Sequence, residues 1–208
     1  GDPWTGPSGE PTFWRVEGSL ADLTAVRPVA YFTWNAHTFA ERWARRGALL
    51  LEALVRPVLY GTHRVFATRV LHALLRGVTR DRMDLLGEEY FHYILKPTLK
   101  PDGLEALRRY MGEHGQVVLV SQGLDHVMRP LAQHLGVEQL VANRLEFRDG
   151  KATGRLLDPV VRPRGPLAML LGNQPDGHRN AQRLLRDLGL EGQPGRLDDA
   201  IISAQRPA

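Results

Sequence analysis

The sequence predicts an α/β fold with a parallel sheet, and three observations carry that prediction. The first is Val117–Gly123, VVLVSQG, a short apolar run that ends abruptly in Ser121 and Gly123. A run of that length bounded by turn formers reads as a buried parallel strand. The second is a helical pattern on each side of it, Gly103–His114 before and roughly Asp125–Leu135 after. The third is another short apolar stretch, Thr12–Val16, with Glu17, Gly18 and Ser19 as the turn at its tip. Helix, strand, polar tip, helix is the order of an α/β domain. Open sheets of this kind bind ligands beyond the carboxyl ends of their strands. The question is therefore what Ser121 and the 17–19 turn face.

The bulk numbers are compatible with that reading. The chain has 208 residues, 43% hydrophobic and 24% charged, which suits one globular domain or a domain with a large insert and excludes a disordered chain. The formal charge is +4, and 24 of the 27 basic residues are arginine. Guanidinium grips phosphates and carboxylates bidentately, so anionic ligands fit the composition. No dense Lys/Arg run is present, and a nucleic-acid partner is not expected. With no cysteine, disulfides, thiolate nucleophiles and Cys-based zinc sites are excluded. The eight histidines lack the close spacing of zinc ligands; His126 and His134, which flank one helix, read as surface or packing residues. The most apolar stretch, Ala48–Tyr60, is too short to span a bilayer and carries Glu52 and Arg56. No signal peptide is visible, so a cytoplasmic location is expected.

Taken in order, Gly1–Pro11 is dense in Gly and Pro and reads as a linker, which suggests a module of a longer polypeptide. The first strand follows at Thr12–Val16. Residues 21–97 differ in texture, being helical in period and rich in Arg and aromatics. Thr38 and Glu41 fit a capping box, and Phe39, Trp43, Leu50 and Leu54 keep helical spacing until Pro57 and Gly61. A second helix is predicted over Arg64–Arg76, stopped by Gly77. A third begins near Thr79 and carries Met83, Leu86, Tyr90 and Ile94 before Pro97. Such an insert over the carboxyl edge of a sheet would act as a lid or specificity cap.

Gly103–His114 carries Leu104, Leu107 and Met111 at helical spacing, with Gly115 as its stop. Pro130 lies inside the next helical pattern, so that helix should start late or kink; Gly136 closes it. Gln139–Ala142 is a second short core strand. Leu145–Leu157 reads as a hairpin turning at Asp149–Gly150. Arg162–Gly165 is a loop and Asn180–Leu188 a last amphipathic helix. Residues 191–208 show no pattern beyond a possible helical turn near Ala200.

This order of parts resembles the haloacid-dehalogenase-like superfamily, in its phosphoserine-phosphatase-like branch with a helical cap. The resemblance rests on FWRVEGSL at Phe13–Leu20, the helical insert, VVLVSQG, LAQHLGV and RDGKATGRL. It implies a Rossmann-like core over 12–20 and 98–190, a cap over 21–97 and a C-terminal tail over 191–208. It also implies a chemistry. The family's first motif, D-x-D-G-[TS], supplies an Asp nucleophile and an Asp acid/base. A Ser or Thr after the next core strand holds the phosphate, a later Lys neutralises it, and a late acidic pair helps hold Mg²⁺.

The sequence departs from that pattern at the decisive place. Arg15 stands at the nucleophile position; a guanidinium has no lone pair to attack phosphorus and its charge opposes a metal. Glu17 stands at the second position and is the one residual acid/base candidate. Gly18 and Ser19 match, and Ser121 matches the phosphate-holding position. After Gly165 the chain reads Pro-Leu-Ala-Met-Leu where a Lys is expected, leaving Arg162 and Arg164 as substitutes. The late acidic motif is missing. Three altered elements together predict a phosphatase fold without phosphatase chemistry.

The expected anion-binding set is Arg15, Gly18, Ser19, Ser121, Gln122, Gly123 and Arg164, with no metal and no cofactor. Arg15 either binds the anion or pairs internally with Glu17. The expected partners are a small anionic or phosphorylated ligand and the other domains of the parent polypeptide. The resemblance adds lipid or acyl metabolism as a setting, since members of this branch occur fused to lipid-acyl enzymes. Two further classes stay open. One is a divergent Mg²⁺-dependent phosphomonoesterase using Glu17, Ser121 and an unexpected nucleophile, for which Asp22 and Asp125 are nearest. The other is a peripheral membrane contact through Arg42, Trp43, Arg45, Arg46 and Arg56 of the cap.

Overall fold

Strand pleating sorts the core residues onto the two faces of a sheet. The computed structural model describes residues 11–22, 31–32, 75–114, 116–161 and 181–205. Within them β1 (Thr12–Arg15) runs parallel to β2 (Val117–Leu124), pairing Thr12 with Val117 and Arg15 with Val120. β2 runs parallel to β3 (Gln139–Asn143). Successive side chains point to opposite faces, so Trp14, Leu119 and Leu140 join one apolar cluster while Phe13, Val118, Val120 and Val141 join another. Burial on both faces explains why these strands read as unbroken apolar runs.

α1 (Arg80–Tyr90) begins at Thr79, whose hydroxyl accepts from the Arg82 N–H at 3.3 Å. It buries Met83, Leu86 and Tyr90 as the spacing predicts. Ile94 does not join them: it is 41% exposed and Leu95 is buried instead. The cause is a π turn over Phe91–Leu95, in which the Lys96 N–H bonds back to the Phe91 carbonyl. One extra residue per turn shifts the buried stripe by one position. A short 3₁₀ turn, Lys96–Thr98, leads on to α2 (Pro101–His114).

α3 (Asp125–Leu135) corrects a second expectation. It starts directly after β2 and runs unbroken through Pro130, ending at Gly136 in the left-handed conformation (φ 72°). Pro130 has no N–H to give the His126 carbonyl. That oxygen faces α1 at Gly87, where a Cβ would sit 2.2 Å from it. The bare glycine permits the approach that lets the proline stay inside the helix.

The hairpin is β4 (Leu145–Arg148) and β5 (Lys151–Leu156), with Asp149 at φ 50° and Gly150 at φ 73°. Two positive φ values make the turn whose twist suits a hairpin. β5 also binds the chain where it returns from the insert, through Gly77 N–H to Ala152 O (2.7 Å) and Ala152 N–H to Val78 O (2.8 Å).

α4 (Ala181–Leu188) packs on the Phe13 side of the sheet. The stretch 191–208, expected as a tail with at most a helical turn near Ala200, contributes that turn as α5 (Gly195–Ala200) and, unexpectedly, β6 (Ile202–Ser203). β6 pairs antiparallel with β3, giving the order β1-β2-β3-β6 and covering an edge that would otherwise invite strand addition. Two residues are too few to show a period, which is why the strand was illegible in sequence.

Several expectations lie outside the described residues: the linker up to residue 10, the insert helices over 38–56 and 64–74 with the arginines at 42, 45, 46 and 56, and the loop holding Arg162 and Arg164. Among the described residues no helix is long and apolar enough to cross a membrane.

Candidate functional site

Beyond β1 the ladder continues for one bond, Val16 N–H to Val120 O at 2.9 Å, and then the chain turns sharply. Gly18 takes φ 87°, a conformation costly for any residue with a Cβ. Its N–H donates to Ala21 O at 2.8 Å, and the N–H groups of Leu20 and Ala21 both return to the Val16 carbonyl. The Ser19 hydroxyl donates to the Arg15 carbonyl. From the start of α2, Lys100 Nζ donates to Gly18 O (3.2 Å) and pairs with Asp22 (2.8 Å), while its backbone N–H reaches Leu20 O (2.9 Å). Gly103 lies so close to the Ser19 carbonyl that a Cβ would be 1.9 Å from it. The loop is thereby pinned, and Glu17 projects from it towards the tip of β2.

That tip is irregular. Pairing between β2 and β3 shifts register between Val120 and Leu124, so Ser121, Gln122 and Gly123 form a bulged segment inside a longer strand than expected. The bulge re-aims their polar groups. The Ser121 hydroxyl donates to Glu17 Oε1 at 2.6 Å, and the Gln122 N–H donates to the same oxygen at 2.8 Å. The Gly123 N–H donates to Ser121 Oγ at 2.9 Å, orienting that hydroxyl. On the other side of the carboxylate, Arg15 Nε lies 3.6 Å from Glu17 Oε2. The two side chains are only 10% and 7% exposed. A buried carboxylate needs both a counter-charge and donors. Arg15 supplies the charge beside Oε2, Ser121 and Gln122 supply donors to Oε1, and Oε2 itself accepts no hydrogen bond among the described residues.

Five of the seven expected ligand residues thus meet around one carboxylate or support it: Arg15, Ser121 and Gln122 reach it, Gly123 orients Ser121, and Gly18 makes the turn. Ser19 is turned away from it and serves the loop. Arg164 lies outside the described residues. The two alternative nucleophiles are held elsewhere, Asp22 by Lys100 and Asp125 by Arg129 (3.2 Å).

Asn143 is a residue that sequence reasoning missed. Fully buried, it donates to Gln122 O (2.7 Å) and accepts from the Val161 N–H (2.8 Å). It locks the far side of the bulge to the chain leaving the hairpin. An Asn closing an apolar strand was the available signal. A second missed group is the hydrogen-bonded junction of α1 and α3, where His126 Nδ1 meets Asp84 Oδ1 at 2.5 Å. The His126 ring is buried and stacks edgewise on Phe147 of the hairpin. Burial pulls the Asp84 carboxyl up, but its hydrogen bond to His126 and the charges of His126, Arg129 and Arg80 outweigh that and hold it below the ordinary value.

Among the described residues the site does not fit Mg²⁺. A divalent cation needs several oxygen ligands. Here a guanidinium stands beside a single carboxylate that already accepts from two donors. Among the described residues no three His, Asp or Glu side chains converge to hold a metal.

The phosphoserine phosphatase of Albidiferax ferrireducens is 30% identical over 114 residues, 55% of this chain and 45% of that one, so the chain spans less than half of that relative's length. A protein of unknown function from Bordetella pertussis Tohama I has a similar fold, with a TM-score of 0.57 at 23% identity over 72% of this chain and 67% of that one. The family model for haloacid dehalogenase-like hydrolases matches residues 22–190, beginning just after the altered Arg15–Ser19 stretch. On that match, which takes in most of the sequence, the chain belongs to the haloacid dehalogenase-like hydrolase family.

Proposed function

We propose that this chain is a catalytically silent, phosphatase-like module whose former phosphate seat is filled by its own Glu17. One observation carries the reading: the Ser121 hydroxyl and the Gln122 N–H, the donors that would hold a phosphate oxygen, both bond Glu17 Oε1 at 2.6 and 2.8 Å. Arg15 stands where an attacking carboxylate would be and neutralises the same group. An external anion must displace a carboxylate held by two donors and a cation, all within the protein. Glu17 is spent as an acceptor and is not poised to move a proton to a leaving group. The module then serves its parent polypeptide as a folded partner for other domains. The cleft takes an anion only when Glu17 swings out.

The test is phosphate release from a broad panel of phosphomonoesters, with and without Mg²⁺, for wild type and Ser121→Ala. Silence in both agrees with the reading. Mg²⁺-dependent turnover by wild type that Ser121→Ala reduces would overturn it and make the chain a divergent phosphomonoesterase.

A further inference from the structure

The segment after α1 presents a second group of cations, well apart in the chain from the cleft residues. Phe91 is buried, and its ring meets two imidazoles, His92 at 5.1 Å and His134 of α3 at 5.7 Å. Four residues on from His92, Lys96 is the first residue after the π turn, and its charge reaches His134. Arg108 approaches from α2, near enough for its charge, with those of Lys96 and His92, to act on His134. All four are exposed. Among the described residues none of the four makes an ion pair, whereas Arg15, Lys100, Arg129, Arg148 and Arg186 each have a carboxylate within 4.0 Å. Three elements of the fold therefore bring like charges together, and the charges that act on His134 are all positive; Glu88 and Glu105, one turn before His92 and Arg108, form no ion pair with them. Such a grouping repels itself until an anion arrives, and it attracts one.

We propose that His92, Lys96, Arg108 and His134 form an anion site separate from the cleft, one that takes a phosphate or pyrophosphate group. Lys96 and Arg108 supply permanent charge, Arg108 in a form that grips two oxygens. The two imidazoles beside Phe91 add ring N–H donors, and the charge of His134 depends on pH. Burial and the charges of Lys96, Arg108 and His92 lower the His134 pKa in the free protein. A bound anion reverses the last three influences and raises it. Binding therefore takes up protons, and affinity rises as the pH falls through the histidine range.

The experiment titrates pyrophosphate into the protein at pH 6 and pH 8 by calorimetry, with the imidazole resonances followed by NMR. The expected result is saturable binding, tighter at pH 6, that weakens about tenfold or more in Lys96→Ala or Arg108→Ala. Arg109→Ala, which removes a neighbouring charge on the same helix, should leave it intact. Glu17→Ala, which alters the cleft, should leave this component unchanged, which separates the site from the reading above. A second arm offers the same group on phosphatidylcholine vesicles carrying phosphatidic acid. Co-sedimentation lost in Lys96→Ala assigns the site to a lipid headgroup, and pyrophosphate binding without co-sedimentation assigns it to a free ligand. The proposal is overturned if neither probe binds, or if Arg109→Ala weakens binding as much as Lys96→Ala does.

Discussion

At the tips of β1 and β2, Arg15 and the donors Ser121 and Gln122 face a carboxylate that the chain itself provides. On the 91–98 segment, α2 and α3, Lys96, Arg108 and two imidazoles make no ion pair among the described residues. The difference follows from burial. Side chains 10% and 7% exposed cannot stay charged without compensation, because taking an ion out of water costs several kcal/mol. Exposed groups are solvated and screened, so they can wait for a partner. On the proposed reading, the buried cleft fills its anion seat with Glu17, and the exposed face leaves one open.

The comparison breaks most easily at Arg15. Arg15→Asp would set two carboxylates where a cation and a carboxylate now lie. Breaking a buried pair costs about 3–5 kcal/mol, and the loss should show as a large drop in the urea midpoint. A variant as stable as wild type would mean that Glu17 does not need Arg15. Next in size is Ser121→Ala, which leaves Glu17 Oε1 with the Gln122 N–H as its donor and should cost about 1–3 kcal/mol. The equivalent truncation on the exposed face, Lys96→Ala, should change stability by less than about 0.5 kcal/mol, as surface substitutions do.

The Asp84–His126 junction lies between the two cases, one partner buried and the other 37% exposed. Its folded-state carboxyl pKa is held below the ordinary value. The stability it contributes is therefore present above the unfolded value of about 4 and is lost as pH falls through the folded one. Asp84→Asn should be less stable than wild type at pH 7, and the gap should narrow at pH 3. A gap that is constant with pH would remove the ionic part of the junction.

The sheet was legible because strands buried on both faces write themselves as unbroken apolar runs, as Val117–Val120 does. The seat was half legible. Family order pointed to Arg15, Glu17 and Ser121, and internal pairing of Arg15 with Glu17 was one of two readings. The bulge at Ser121–Gly123, which brings hydroxyl and amide onto one carboxylate oxygen, has no sequence period and had to be seen. The π turn was hidden for a similar reason: Phe91–Leu95 has ordinary helical spacing, and only the bond from Lys96 back to Phe91 shows that Leu95 replaces Ile94 in the core. Pro130 misled because the rule about proline in helices considers one helix, whereas Gly87 on a neighbouring helix makes room for the freed carbonyl. The basic face joins residues from three separated elements, so no local motif announced it.

The central claim is that Glu17 occupies the phosphate seat. The most direct test follows the Gln122 backbone amide by NMR as inorganic phosphate is titrated into wild type and Glu17→Ala, both carrying Lys96→Ala to silence the exposed face. With Glu17 in the seat, the Gln122 resonance stays unmoved; once Glu17 is gone, it shifts saturably. A saturable Gln122 shift with Glu17 in place would contradict the claim, because the seat would then be open to phosphate after all.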